Sequence, residues 1–180
     1  MQYAIELYFD RKTEEQLYDL AKSVANAKLS TKFLEWKTRP HLTLACFNDV
    51  DEEKSIELLK NFAQTHRKMS AHIASVGMFN DTKTIFASPI MTSSMYQIQR
   101  EIHDCLCDFD TRGQEWYLPN RWVPHCGIAL MKEDAEESFY KACDLVLREF
   151  EKISGKFTSI GLVKITFPVK EIFVAELKGE

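Results

Sequence analysis

The sequence predicts an α+β fold in two duplicated halves, and three observations carry that reading. Arg39-Pro40-His41-Leu42-Thr43-Leu44-Ala45 and Val123-Pro124-His125-Cys126-Gly127-Ile128-Ala129 are copies of one short pattern. Ser75-Val76-Gly77 and Ser159-Ile160-Gly161 follow their histidines at one spacing, 36 residues in each case (77 − 41 and 161 − 125). Strand-like and helix-like periodicities then alternate in the same order through both halves. Two copies make a duplicated domain and not a solenoid. The 180 residues, 45% of them hydrophobic, are therefore read as one bilobal domain spanning 1–180. Its approximate halves are 1–84 and 85–180, with the final strands free to swap between lobes.

The elements follow in order. Gln2 to Phe9 alternates, with Ile5, Leu7 and Phe9 on one face and Ala4, Glu6 and Tyr8 on the other, which is a strand pattern. Thr13 with Gln16 is a capping-box signal, and Leu17, Leu20, Ala21 and Val24 predict a helix from about Thr13 to Lys28. The His41 segment is the next strand. A second helix carries Ile56, Leu59, Phe62 and Ala63 on its buried stripe. Ala71 to Phe79 and Thr84 to Ile90 form a hairpin about Asn80-Asp81-Thr82-Lys83.

The second half repeats this order. Ser93 and Ser94 precede a helix marked by Met95, Ile98, Ile102, Leu106 and Phe109, and the His125 strand comes after the loop from Gly113 to Asn120. Asp134 with Glu137 caps a helix whose apolar set is Phe139, Ala142, Cys143, Val146 and Phe150. Strands near Lys156 to Thr166 and Glu171 to Leu177 close the chain. Each half reads strand, helix, His strand, helix, hairpin. The adjacent hairpins favour antiparallel pairing over a doubly wound parallel sheet.

Composition narrows the function classes. A net charge of −4 disfavours coating of long duplex nucleic acid, which needs a basic face, and leaves a nucleotide or an RNA end as the expected partner. Five cysteines in no regular framework read as reduced thiols, so the expected setting is the cytoplasm. No stretch approaches the roughly 18 apolar residues of a membrane span. His103 and Cys107 share a helix face, but further metal ligands are not at recognisable spacing, so neither a metal nor a cofactor is expected.

Alternation places His41, Thr43, Ala45 and Phe47 on one strand face, with Leu42, Leu44 and Cys46 on the other. Neighbours at i and i+2 lie roughly 6 to 7 Å apart, so an imidazole and a hydroxyl can address two oxygens of one phosphate. The same parity groups His125, Gly127 and Ala129 and turns Cys126 away. Arg39 and Arg121 share the parity of their histidines and are candidate phosphate ligands, or else solvated charges. Trp36, Trp116, Tyr117 and Trp122 lead into the two motifs, where a base could stack or the rings could pack the core. His66 and His72 are read as surface residues.

His41-Leu42-Thr43-Leu44, a second Pro-His strand further on and the duplicated halves resemble the two-histidine (2H) phosphoesterase superfamily, which includes bacterial proteins called 2′-5′ RNA ligases. The resemblance implies two antiparallel-sheet lobes with helices outside, enclosing a central cleft. It implies metal-independent hydrolysis of a 2′,3′-cyclic or 2′-5′ phosphodiester, with His125 as base, His41 as acid and Thr43 on the phosphate. The substrate-binding set then reads Thr43, Gly127, Arg39, Arg121 and Trp122. One departure stands out: the second motif has Gly127 where the family carries a hydroxyl. The alternative is a weak or inactive member that binds a nucleotide phosphate or RNA end.

Overall fold

The computed structural model describes residues 2–109, 114–132 and 135–179. Within them seven strands form one antiparallel sheet: β1 (Gln2–Phe9), β2 (His41–Phe47), β3 (Met69–Phe79), β4 (Thr84–Pro89), β5 (Cys126–Leu130), β6 (Ile153–Ile165) and β7 (Lys170–Glu176). The order is β2-β1-β6-β3-β4-β5, with β7 also on β6. The helices are α1 (Arg11–Asn26), α2 (Lys32–Glu35), α3 (Glu52–Thr65), α4 (Ser93–Cys105) and α5 (Glu136–Glu149). Among the described residues no helix is long and apolar enough to cross a membrane.

Local chemistry explains the boundaries. Helix α1 starts two residues before the expected point, because the Asp10 carboxylate accepts from the Thr13 amide and is the N-cap; Thr13 itself is buried. Asp51 caps α3 and Thr92 caps α4 in the same way. The Asp134 capping signal and Gly113 lie outside the described residues, and α5 follows Ala135. Helix α2 has no counterpart in the sequence reading, since four residues show no periodicity.

Sheet pairing exchanges strands between the halves. β3 and β4 form the expected hairpin, whose β4 carries the second histidine strand β5, while β6 of the second half pairs with β1. β1 lies beside the first histidine strand and β4 beside the second, so each lobe contains a strand from both halves. The β3–β6 pairing between Met69–Ile73 and Ile153–Phe157 makes the two lobes one continuous sheet. The repeat glycines now have a reason: a Cβ on Gly77 would fall 2.4 Å from the Phe86 ring, and one on Gly161 2.8 Å from Tyr8.

The histidine strands are the two ends of the sheet, and each is bulged at the same place. Ile5 faces Ala45 and Glu6 faces Thr43, which leaves Leu44 extra; Ile85 faces Ala129 and Phe86 faces Gly127, which leaves Ile128 extra. Each bulge inverts the alternation beyond it. Ala45, Phe47 and Ala129 therefore join Leu42, Leu44, Cys126 and Ile128 in the core, while Cys46 packs on the opposite face with Ala4 and Val163. The expected grouping of Ala45, Phe47 and Ala129 with the histidines fails for this reason.

An edge strand has unpaired carbonyls that must find donors. Those at the β2 bulge find them in the second half: Trp122 Nε1 donates to the Thr43 carbonyl at 2.9 Å, and Gln99 and His103 donate to that of Leu44, each at 3.2 Å. Trp122→Phe keeps an aromatic ring but removes the donor. It should cost about 1 to 3 kcal/mol in urea unfolding; unchanged stability would show that the tie does not hold the strand.

Candidate active site

Both histidines are held by one local device. Proline restricts the residue before it to extended backbone, and the carbonyl of that residue points back at the ring. His41 Nδ1 lies 2.6 Å from the Arg39 carbonyl, and His125 Nδ1 lies 2.7 Å from the Val123 carbonyl. A carbonyl only accepts, so both Nδ1 atoms carry hydrogen and each ring presents Nε2.

The edge strands approach each other through these rings. The His41 backbone amide lies close to Cys126 Sγ, and a positive charge on His41 disfavours one on His125. Tyr117 lies in the gap: its ring centroid is 6.3 Å from that of His125, and its hydroxyl is beside the side chains of Thr43 and Cys46. Thus His41, Thr43 and His125 belong to one constellation, with Tyr117 between them.

The surroundings of the two rings differ in polarity. His41 Nε2 is 3.3 Å from Glu6 Oε1, and Tyr8 donates to Glu6 Oε2 at 2.9 Å. Burial pushes the Glu6 carboxyl above the usual carboxylate range, opposed by the His41 charge and the Tyr8 hydrogen bond. His125 instead meets Phe79 at 5.0 Å and Phe86 at 5.4 Å between ring centroids, both edge-to-face. Burial holds its pKa below the ordinary 6.5, and the nearby His41 lowers it further. Burial also pushes the Cys126 and Cys46 thiols up to about 12, so neither is a ready nucleophile.

The remaining expected residues divide. Arg39 stacks over Tyr8 at 4.2 Å and pairs with Glu14 at 2.8 Å and Glu171 at 3.5 Å, so carboxylates already hold its guanidinium. Arg121 is exposed over Trp116, itself 71% exposed. Trp122 is buried with its N–H committed to Thr43, which removes it as a base-stacking platform. Trp36 stacks on Phe167. His72 is exposed as expected, whereas His66 is half-buried, stacked on Phe62 and paired with Glu101. Among the described residues no group of three or more His, Cys, Asp or Glu side chains could hold a metal ion.

Gly127 faces the cleft but not an empty space. A Cβ there would lie 2.3 Å from the Phe33 ring of α2, which occupies the position open to a second hydroxyl. α2 is tied to β5 by Ser30 Oγ, which donates to the Leu130 carbonyl at 2.7 Å. Sequence reasoning also missed Glu6; the available signal was a carboxylate flanked by apolar residues in a strand buried on both faces.

Comparison with known proteins agrees with this architecture. The family model described as the 2′-5′ RNA ligase superfamily matches residues 8–166. TT0787 of Thermus thermophilus is similar in structure, with a TM-score of 0.64, 16% identity and all of both chains covered. E. coli LigT complexed with 3′-AMP aligns with a TM-score of 0.56 and 12% identity over 98% of each chain. Kluyveromyces marxianus Usb1 aligns with a TM-score of 0.51 and 11% identity over 98% of this chain and 97% of its own. No curated protein matches the sequence.

Gly127→Ser should destabilise the protein by about 1 to 3 kcal/mol in denaturant titration, because the new side chain displaces Phe33. Adding Phe33→Ala should recover the part due to the clash. If Gly127→Ser alone is neutral, the ring yields freely and the site is open to a hydroxyl.

Proposed function

The chain belongs to the 2′-5′ RNA ligase superfamily of 2H phosphoesterases, and from that premise we propose that it is a metal-independent phosphodiesterase. Its substrate is a 2′,3′-cyclic or 2′-5′ phosphodiester of a small nucleotide or RNA end. The observation that supports this most is the matched anchoring of two imidazoles, each with Nδ1–H on a backbone carbonyl, which leaves Nε2 as the nitrogen for proton transfer. The 3′-AMP complex of E. coli LigT supports a nucleotide phosphate as the ligand class.

The chemistry needs one base and one acid on opposite sides of phosphorus. His125 Nε2, a bare lone pair in an apolar setting, takes a proton from water as the water oxygen bonds to phosphorus. The P–O bond to the ribose oxygen breaks, and His41 Nε2–H supplies the proton that oxygen needs. Each transfer contributes about 10²- to 10⁴-fold. Thr43 donates to a non-bridging oxygen and stabilises its developing charge. Arg121, exposed and not held by a carboxylate ion pair among the described residues, is the candidate further ligand for phosphate, whereas Arg39 is held by Glu14 and Glu171.

A second reading, phosphate binding with little turnover, is favoured by Phe33 standing over Gly127. Assay with 2′,3′-cyclic nucleotides and a 2′-5′ dinucleotide separates the two. For an enzyme, His41→Ala and His125→Ala should each lower kcat by about 10²- to 10⁴-fold, and the double variant should lose little more. Binding without turnover in the wild type would select the second reading.

The direction of the His125 shift sets the pH dependence. The base works only when neutral, so activity falls as pH drops through its pKa, and burial places that fall below 6.5. Phe79→Ala admits water to the ring, so the acid limb of kcat/KM should move to higher pH. An unmoved limb would assign it to another group.

A further inference from the structure

The duplicated lobes differ at the register position beside each bulge. In the first lobe the residue facing Thr43 across the sheet is Glu6; in the second the residue facing Gly127 is Phe86. Each lies immediately beside its bulge, on the cleft side. The fold therefore offers the same place twice, filled once by a carboxylate and once by a benzene ring.

Hydrogen accounting around His41 follows from geometry. Nδ1 must carry hydrogen, because its partner at 2.6 Å is the Arg39 carbonyl. Nε2 faces Glu6 Oε1 at 3.3 Å. Glu6 is buried, so its carboxylate beside a neutral ring would be a buried charge without a counter-charge, which is costly. The pair therefore holds one proton more than a neutral ring beside a carboxylate would, either on the His41 ring beside a carboxylate or on Glu6 beside a neutral ring. Tyr8 donates to the other carboxylate oxygen and fixes its orientation.

We propose that Glu6 is a positioning residue for His41, holding a proton at its Nε2 so that the duplicated site is poised with His41 as acid and His125 as base. The proposal deepens the phosphodiesterase reading and rests on it for its catalytic consequence. After His41 gives its proton to the leaving oxygen, the Glu6 carboxylate faces a bare lone pair. That repulsion favours reprotonation of His41 from solvent, while His125 releases the proton it took from water. The other ionisable groups coupled to this pair are Tyr8 on β1, Cys46 on β2, Tyr117 in the turn before β5, Cys126 on β5, Glu171 on β7 and Arg39 before β2. Arg39 is itself paired with Glu14 and Glu171, and His125 completes the set.

Glu6→Gln is the test, since its amide keeps the shape and can accept from Tyr8 while offering N–H to His41 Nε2. In ¹⁵N spectra of the ligand-free protein, wild type should show a proton on both nitrogens of the His41 ring or a shared-proton signature at Nε2. His125 should show hydrogen at Nδ1 alone. In Glu6→Gln, His41 Nε2 should read as a bare lone pair. Turnover of a 2′,3′-cyclic nucleotide should fall on the order of 10²-fold. An aryl phosphodiester whose p-nitrophenolate departs without a proton should lose less than about 3-fold, a contrast that a merely structural role would not produce. A wild-type His41 Nε2 with no proton signature, or one that Glu6→Gln leaves unchanged, overturns the proposal. If the spectra agree but the wild type turns over no phosphodiester, the pair stands and the reading of the site as an enzyme fails.

Discussion

Two edge strands have to be held together for this molecule to have a site at all. β2 and β5 are the opposite ends of one sheet in hydrogen-bonding order. The bulge at Leu44 leaves carbonyls that β1 cannot satisfy, and Trp122, Gln99 and His103 from the second half supply the donors. From the other side, the His41 amide reaches Cys126. Buried polar groups are satisfied only when the edges meet, so the energetic demand of the backbone is also what brings the imidazoles into one cleft. Trp122, Gln99 and His103 act on the site through this closure and not by touching a ligand.

Duplication supplies two similar frames, and the side chains that fill them make the frames unequal. Glu6, Tyr8 and Thr43 surround His41 with hydrogen-bonding groups, whereas Phe79 and Phe86 surround His125 with ring carbon. Acid–base catalysis at neutral pH needs groups in complementary protonation states, and unlike environments are the physical means of separating two identical side chains. The second frame is also where Phe33 lies over Gly127. A polar first lobe and an apolar second one are consistent features of the same asymmetry.

The limits of reading the sequence can be seen at particular residues. Alternation grouped His41 with Thr43 and His125 with Gly127 correctly, then failed at Ala45, Phe47 and Ala129, because a bulge adds one residue and inverts every later position. Neither extra residue, Leu44 or Ile128, is a glycine or carries another compositional mark. The start of α1 was misread because Thr13 and Asp10 both offer cap chemistry, and only burial of Thr13 distinguishes them. Trp122 gave no sign of being a structural tie rather than a stacking surface, since its acceptor lies 79 residues away.

What the sequence by itself determined is the duplicated α+β plan, the two Pro-His strands and the pairing of His41 with Thr43. These are local: a period, a proline constraint and a two-residue spacing are written in neighbouring residues. Only the tertiary structure decided which groups confront each ring. Strand exchange puts β6 beside β1 and β5 beside β4, and sheet register sets Glu6 opposite Thr43 and Phe86 opposite Gly127. Register is a property of long-range pairing under burial, so the difference between the two histidines comes from residues distant in the chain, where no local pattern could reveal it.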